Sequence, residues 1–223
     1  MSSPESDRVV VTLRPLGSPT ALGLFGLAAA TFTLAGLQLG WVPESEGAVV
    51  GLVLVAFAAP AQLLASVLAF LARDAGIATA MGVLSLTWLS TGLVLVTSEP
   101  GGRSAALGLL LVSSAVAVGL SGVTGLLTKI STGCVLITAS VRIGLTAAYQ
   151  LSGPAWLQTL AGALGVALAL LAVAVAWASE LEASGAPVRV PLGRRGKGAS
   201  TGPGTLSEQA DGLATEPGVR TLL

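Results

Sequence analysis

Histidine is absent from the 223 residues, and there is one cysteine, Cys134. No disulfide can close within the chain, and no Cys/His metal centre can be assembled. An isolated thiol in an apolar stretch reads as a small buried hydrophobe. Charge is scarce as well. Asp, Glu, Lys and Arg make up 10% of the residues, against roughly 25% in soluble domains. Acidic and basic residues balance at 11 each, and no nucleic-acid partner is expected. The few charges collect at the two ends and in short connectors, and no Asp or Glu falls inside an apolar run. A serine–histidine pair, a metal-activated water and a buried proton-relay carboxylate are all excluded by these absences. The chain is not expected to be an enzyme, to need a cofactor, or to pump protons on its own side chains.

What fills the space is hydrophobic sequence, 53% of the chain. Six apolar runs stand at about 20–41, 47–72, 75–97, 104–126, 130–151 and 155–179. A helix needs roughly 20 apolar residues to cross the hydrocarbon core. Lipid offers backbone groups no hydrogen-bond partner, so a span must be a helix or a closed-barrel strand. Stretches such as "AGALGVALALLAVAVAWAS" show no alternation of polar and apolar residues, which excludes the barrel. The first run is too long for a secretory signal and lacks a cleavage site.

The expected fold is therefore an all-α integral membrane protein, a bundle of six transmembrane helices. Residues 1–17 form a polar N-terminal segment, 18–183 the six-helix transmembrane domain, and 184–223 a mostly disordered tail rich in Gly, Pro, Ser and Thr. Connectors such as "ARDAG" and "LSGPA" leave room only for turns, so sequential helices are antiparallel neighbours. Arg8, Arg14, Arg73, Lys129, Arg189, Arg194, Arg195, Lys197 and Arg220 share one side, while Arg103 stands alone on the other with Glu44, Glu46 and Glu99. That asymmetry puts both termini in the cytoplasm, with "RVPLGRRGK" against anionic inner-leaflet lipid of the plasma membrane.

One segment, "CVLITASVRIGLTAAYQ", holds a permanent charge in its middle. At 1.5 Å per residue Arg142 lies about 18 Å from Ile130 and about 14 Å from Leu151. An arginine at that depth costs at least about 2.5 kcal/mol on the most lenient insertion scale. Thr138, Thr146 and Tyr149 share its helix face by their spacing. Two readings stay open: a guanidinium facing an internal path, suited to a permeating anion, or one that snorkels to the outer headgroups or Glu99. Thr31, Thr33, Gln38, Gln62, Ser66, Ser85 and Thr87 are neutral. Each reads either as interhelical glue or as lining for a polar solute. Glycines spaced as in "GLQLG", "SGVTG" and "AGALG" suit close helix packing, and also arise by chance in so Gly-rich a chain.

The lead-in "SPTALGLFG" resembles the Asn-Pro-Ala-Pro-Leu-Gly signature of the acetate uptake transporter family, the succinate–acetate permeases, with Pro19, Leu22 and Gly23 matching. "FAAPAQLLAS" resembles the family's Tyr-Gly-Gly-x-Ala-Gln at Ala61 and Gln62. Trp88 falls where the family has Ser-Phe-Trp, Glu180 follows the last span as a family glutamate does, and "VPLG" resembles the closing Leu-Pro-x-Gly. The pieces come in the family's order over about 18–193. The resemblance implies a pore through each six-helix subunit, a hexameric ring, and passage of acetate or succinate with protons or channel-like. Gln62 and Trp88 would line or frame the carboxylate path. Leu27 and Leu84 stand where the family's constriction has aromatic residues, Phe57 replaces a Tyr, and Arg142 lies outside the family pattern. With no Asp, Glu or His inside an apolar run, a proton could travel on the substrate itself as a neutral weak acid. A pore for a small neutral solute and a non-transporting membrane scaffold remain the alternatives.

Overall fold

The computed structural model describes residues 17–72, 74–184 and 192–193. The expectations for the polar N-terminal segment and for most of the tail, including its basic stretch, fall on residues outside this set. Helix α1 covers Thr20–Gln38. The second span runs Glu44–Leu71 and is built of a short 3-10 turn, α2 (Gly47–Val53), a π-helical turn at Leu54–Ala58 and α3 (Ala59–Leu71). Then follow α4 (Ala75–Thr97), α5 (Ala105–Thr128), α6 (Ile130–Ser152) and α7 (Ala155–Ala183). These make six helices long and apolar enough to cross a membrane, and no β-strand forms among the described residues.

Large apolar side chains face outward along most spans, Phe25, Phe32, Phe57, Leu120 and Leu170 among them. In a bilayer that exposure is favourable. Exposed Trp156 and Trp177 mark the two ends of α7. At 1.5 Å per residue they stand about 31 Å apart, close to the hydrocarbon thickness. Indole rings prefer the headgroup level, and exposed Trp41, just past α1, belongs to the same level as Trp156.

Small residues let the helices approach. An added Cβ at Gly122 would meet Ile137 at 2.9 Å, and one at Gly125 would meet the Gly133 Cα at 3.0 Å, which brings α5 against α6. Gly51 and Gly92 face each other so closely that a Cβ on either would sit 2.6 Å from the other's carbonyl oxygen. "GLQLG" works differently. Gly40 has φ 73° and nothing near its Cβ position. It ends α1, where Trp41 N–H donates to the Gly36 carbonyl over 2.9 Å. Its role is the left-handed turn that only glycine takes freely, not helix packing.

Polar glue complements the glycines. Ser66 donates to the Ala78 carbonyl over 2.7 Å, Ser85 to the Ala59 carbonyl over 2.8 Å and Ser140 to the Ala115 carbonyl over 2.7 Å. The Ala59 carbonyl follows the π-helical turn and directly precedes Pro60, whose ring denies the helix its ordinary bond to Ala56.

The start of α6 has no side-chain cap. Part of the tail supplies one. Ile130 N–H donates to the Gly193 carbonyl over 3.1 Å, and Ser131 donates to the Leu192 carbonyl through its N–H over 3.3 Å and its hydroxyl over 2.9 Å. Leu192 is buried, and Gly193 has φ 63° with its Cβ position 2.9 Å from that of Ile130. Orphan helix-start donors are thus satisfied by carbonyls about sixty residues downstream in the sequence. Gly193→Ala is expected to cost about 1–2 kcal/mol from the left-handed backbone alone, read as a lower melting temperature of the purified protein. An unchanged melting temperature would mean that this cap does not hold the helix start.

Candidate functional site

Arg142 is 1% exposed, enclosed by α1, α4, α6 and α7. The guanidinium does not reach for Glu99 or the headgroups. Its Nη2 donates to Gln38 Oε1 over 3.0 Å and to the Thr31 carbonyl over 3.5 Å. Gln38 Nε2 donates in turn to the Thr146 hydroxyl over 3.3 Å, and that hydroxyl donates to the Arg142 carbonyl over 3.1 Å. The ring of bonds closes on itself and fixes the orientation of the Gln38 amide. The guanidinium carbon also lies 5.7 Å from the centroid of the Trp88 ring, within range of a cation–π attraction that strengthens on desolvation. All these partners are neutral, so the positive charge is uncompensated.

Room for the guanidinium comes from α7. An added Cβ at Gly165 would sit 2.6 Å from Arg142 Nε and 3.0 Å from the Ala35 Cβ. Nε has no hydrogen-bond partner, nor do Thr31 Oγ1, Trp88 Nε1 and Thr91 Oγ1. Buried orphans of this kind are few in native proteins, and a cluster of them needs a reason.

Two cavities lie toward opposite ends of the bundle, and the larger reaches Gln38 and Thr146 of this cluster. A cavity of about 170 Å³ opens on the side of the Glu44 and Pro100 connectors and is lined by Gln38, Thr91, Thr146, Tyr149, Gln150, Gln158, Glu44 and Glu99 with apolar walls. A smaller one of about 70 Å³ lies on the side of the chain ends, lined by Thr20, Asp74, Ser121, Thr124, Lys129 and Thr132 among others. Asp74 also caps α4 by accepting from the Ile77 N–H over 3.2 Å. Fully buried Leu27 and Leu84 stand between the two levels, on α1 and α4. A third cavity, of about 10 Å³, touches Arg142, Trp88, Thr91 and Thr146 and shares Thr91 and Thr146 with the largest.

The sequence-predicted residues thus divide. Arg142, Thr146, Gln38, Thr31 and Trp88 meet in one cluster, and Tyr149 lines the large cavity next to it. Thr138 does not join them. It is half-buried, and its hydroxyl donates to the Cys134 carbonyl of its own helix over 2.8 Å. A step of four residues turns a helix by about 400°, so each step drifts by about 40°. Thr138 is one step away from Arg142 and Cys134 two, and the thiol expected to be buried is exposed. Gln62 belongs to another place. Fully buried, it donates to the Gly23 carbonyl over 3.2 Å, with its Oε1 unpartnered. A Cβ on Gly23 would meet Met81 Sδ at 2.7 Å. Pro19 precedes α1 as its N-cap residue, and Leu22 faces outward at 39% exposure. Gly23 and Gln62, parts of two separate motifs, are therefore direct partners. Sequence reasoning missed Thr91, Gln150 and Gln158, and it read Gly165 of "AGALG" only as a candidate for helix packing. Their helices are polar or small at many positions, and only the packing picks these out.

No protein-family model matches the sequence, and no curated protein matches it. Among solved structures the fold matches that of the bacterial acetate channel SatP, with a TM-score of 0.72 at 20% sequence identity, over 80% of this chain and 99% of that one. The six-helix membrane fold of this chain is thus the fold of that channel.

The packing makes a coupled prediction. Gly165→Ala forces the guanidinium to shift and is expected to cost about 1–3 kcal/mol. In an Arg142→Gln background the same change should cost at least about 1 kcal/mol less, since the two sites share one space. Equal costs in both backgrounds, measured by thermal unfolding in detergent, would mean that Gly165 is small for another reason.

Proposed function

We propose that this protein belongs to the acetate uptake transporter family and passes small carboxylates, acetate first and succinate as a larger candidate, across the membrane. The observation that carries the reading is Arg142, a buried cation with neutral partners only, set beside a cavity open to one side of the bundle. A guanidinium left without a carboxylate in low dielectric is a strong attractor for an anion. The shared fold of a named acetate channel supports the substrate class, and the motif residues Pro19, Leu22, Gly23, Gln62 and Trp88 support the family.

On this reading the ionised acid enters the larger cavity past Tyr149 and Thr146 and comes to rest against Arg142, with Gln38, Thr31 and Trp88 fixing the guanidinium. Leu27 and Leu84 form an apolar constriction between the two cavities. A bare carboxylate crossing it would lose its hydration without compensation, at a cost of several kcal/mol or more. The neutral acid pays far less. No Asp, Glu or His stands in the interior of a span to relay a proton, the glutamates Glu44, Glu46, Glu180 and Glu182 lying at span ends, so the proton rides on the substrate and passage is proton-linked. The excess of Lys and Arg on the side of the chain ends puts that side in the cytoplasm of the plasma membrane, and the larger cavity then opens outward. Exposed apolar faces suit subunit contacts as well as lipid, in keeping with a homo-oligomer, a hexamer by family resemblance.

The test is uptake of labelled acetate into liposomes holding the purified protein, with and without an inward proton gradient. Wild-type uptake should rise with the gradient and fall at least about tenfold in Arg142→Gln, the loss of one charge-assisted contact worth about 1.5–3 kcal/mol. Equal uptake by both proteins would remove Arg142 from the path. No uptake of any short acid by the wild type would favour a scaffold role.

A further inference from the structure

The larger cavity changes character along its length. Its inner end is formed by Gln38 and Thr146, both hydrogen-bonded to Arg142. Thr91 lines it too, 5% exposed and with no partner for its hydroxyl. The mouth carries negative charge. Glu44 and Glu99 border it, and no Lys or Arg among the described residues lines it. An added Cβ at Gly101 would sit 2.8 Å from Glu44 Oε2, so the start of the second span lies against the turn that follows α4. Both glutamates are exposed, and neither makes an ion pair or a side-chain hydrogen bond with a described residue. Glu46, in the same short turn as Glu44, is exposed as well. Arg103 lies against Gly153 instead, its Nη1 2.6 Å from the Cβ position there. An anion bound for Arg142 must therefore pass two uncompensated negative charges.

We propose that Glu44 and Glu99 set the substrate class of this site, admitting acids of single charge and turning away dianions. The inference rests on the carboxylate reading above. Size does not make the distinction. At about 10–15 Å³ per water-sized body, a cavity of about 170 Å³ has room for succinate as well as acetate. Charge does make it. A dianion meets any electrostatic potential with twice the energy of a monoanion. The factor by which the mouth hinders it is then the square of the monoanion's, so that about threefold for acetate becomes about ninefold for succinate. Arg142 pulls on a dianion twice as hard too, but only one of its two carboxylates can reach the single guanidinium. A dicarboxylate held by one end turns the other toward Leu34, Val94, Leu95 and the two glutamates. An ionised group is costly against such a wall, whereas the methyl group or short alkyl chain of a monocarboxylate is favoured there.

The experiment is competition against uptake of labelled acetate by liposomes holding the purified protein, at neutral pH and low ionic strength. Unlabelled succinate is compared with succinamate, which keeps the chain and replaces one carboxylate by an amide. In wild type succinate should inhibit at least about threefold more weakly than succinamate. In Glu44→Gln/Glu99→Gln inhibition by succinamate and by butyrate should strengthen about threefold and that by succinate about ninefold, so that the gap closes. A merely structural role would move all three inhibitors alike. Raising the ionic strength from about 0.01 M to about 0.15 M cuts the Debye length from about 30 Å to about 8 Å. That change should narrow the gap in wild type with no substitution made, and it decides the matter if the double variant does not fold. Succinate and succinamate equally effective in wild type, or a gap that the two substitutions leave unchanged, overturns the proposal and leaves the carboxylate reading intact. A wild type that takes up no acetate removes the carboxylate reading and the filter with it.

Discussion

Everything distinctive in this bundle turns on one unpaired charge. Arg142 is fully desolvated, and none of its partners carries a negative charge to offset it. Taking an ion out of water costs several kcal/mol even after relaxation, so the surroundings must either supply compensation or leave space for it. Here they do both in part. Gln38 and the Thr31 carbonyl hold the guanidinium, Thr146 holds the Gln38 amide in place, and the Trp88 ring lies against the guanidinium. Those dipoles steady the charge without cancelling it. What remains is a positive centre bordered by a small cavity, the arrangement that the proposed anion passage requires.

The rest of the architecture serves that centre. In lipid there is little hydrophobic force between helices, so the bundle is held by close packing and by hydrogen bonds. Glycines bring α5 onto α6 and α2 onto α4, and Gly165 opens a slot on α7 into which the guanidinium fits. Serine hydroxyls reach the carbonyls of neighbouring helices. Gln62 ties α3 to the start of α1 through the Gly23 carbonyl, and Leu192 with Gly193 ties the tail to the start of α6. Each contact fixes one of the helices that carries a member of the Arg142 cluster, or fixes its neighbour.

Much of this was legible in the sequence. Apolar length alone placed six helices, with boundaries within a few residues of those found, because hydrocarbon thickness leaves a span little freedom. Arg142 announced itself because a charge in such a segment must face inward or climb out. Its partners were harder. Gln38 and Trp88 sit on other spans, and no spacing rule connects residues across helices. Thr138 was misleading because a four-residue step drifts around the helix, and over two steps the drift carries Cys134 to the exposed face. Gly36 and Gly40 have the spacing of a packing motif, but Gly40 lies past the last helical turn, where its φ and not its size is used. Gly165 stood in "AGALG", a stretch read as suited to helix packing, but what makes it special is the Arg142 side chain opposite, which no spacing shows. The pieces shared with a transporter family were small, and the fold is that of an acetate channel.

The central claim is that Arg142 works because it lacks a carboxylate. The most direct test is to give it one. Gln38→Glu places an acid where Gln38 Oε1 now stands, 3.0 Å from the guanidinium, and changes no other atom than the amide nitrogen. The measurement is uptake of labelled acetate by liposomes containing this variant at wild-type density. Uptake close to that of empty liposomes, with the protein folded and at least as heat-resistant as wild type, is the predicted result. Uptake undiminished with the guanidinium paired internally would contradict the account, because the charge would then not be what the substrate meets.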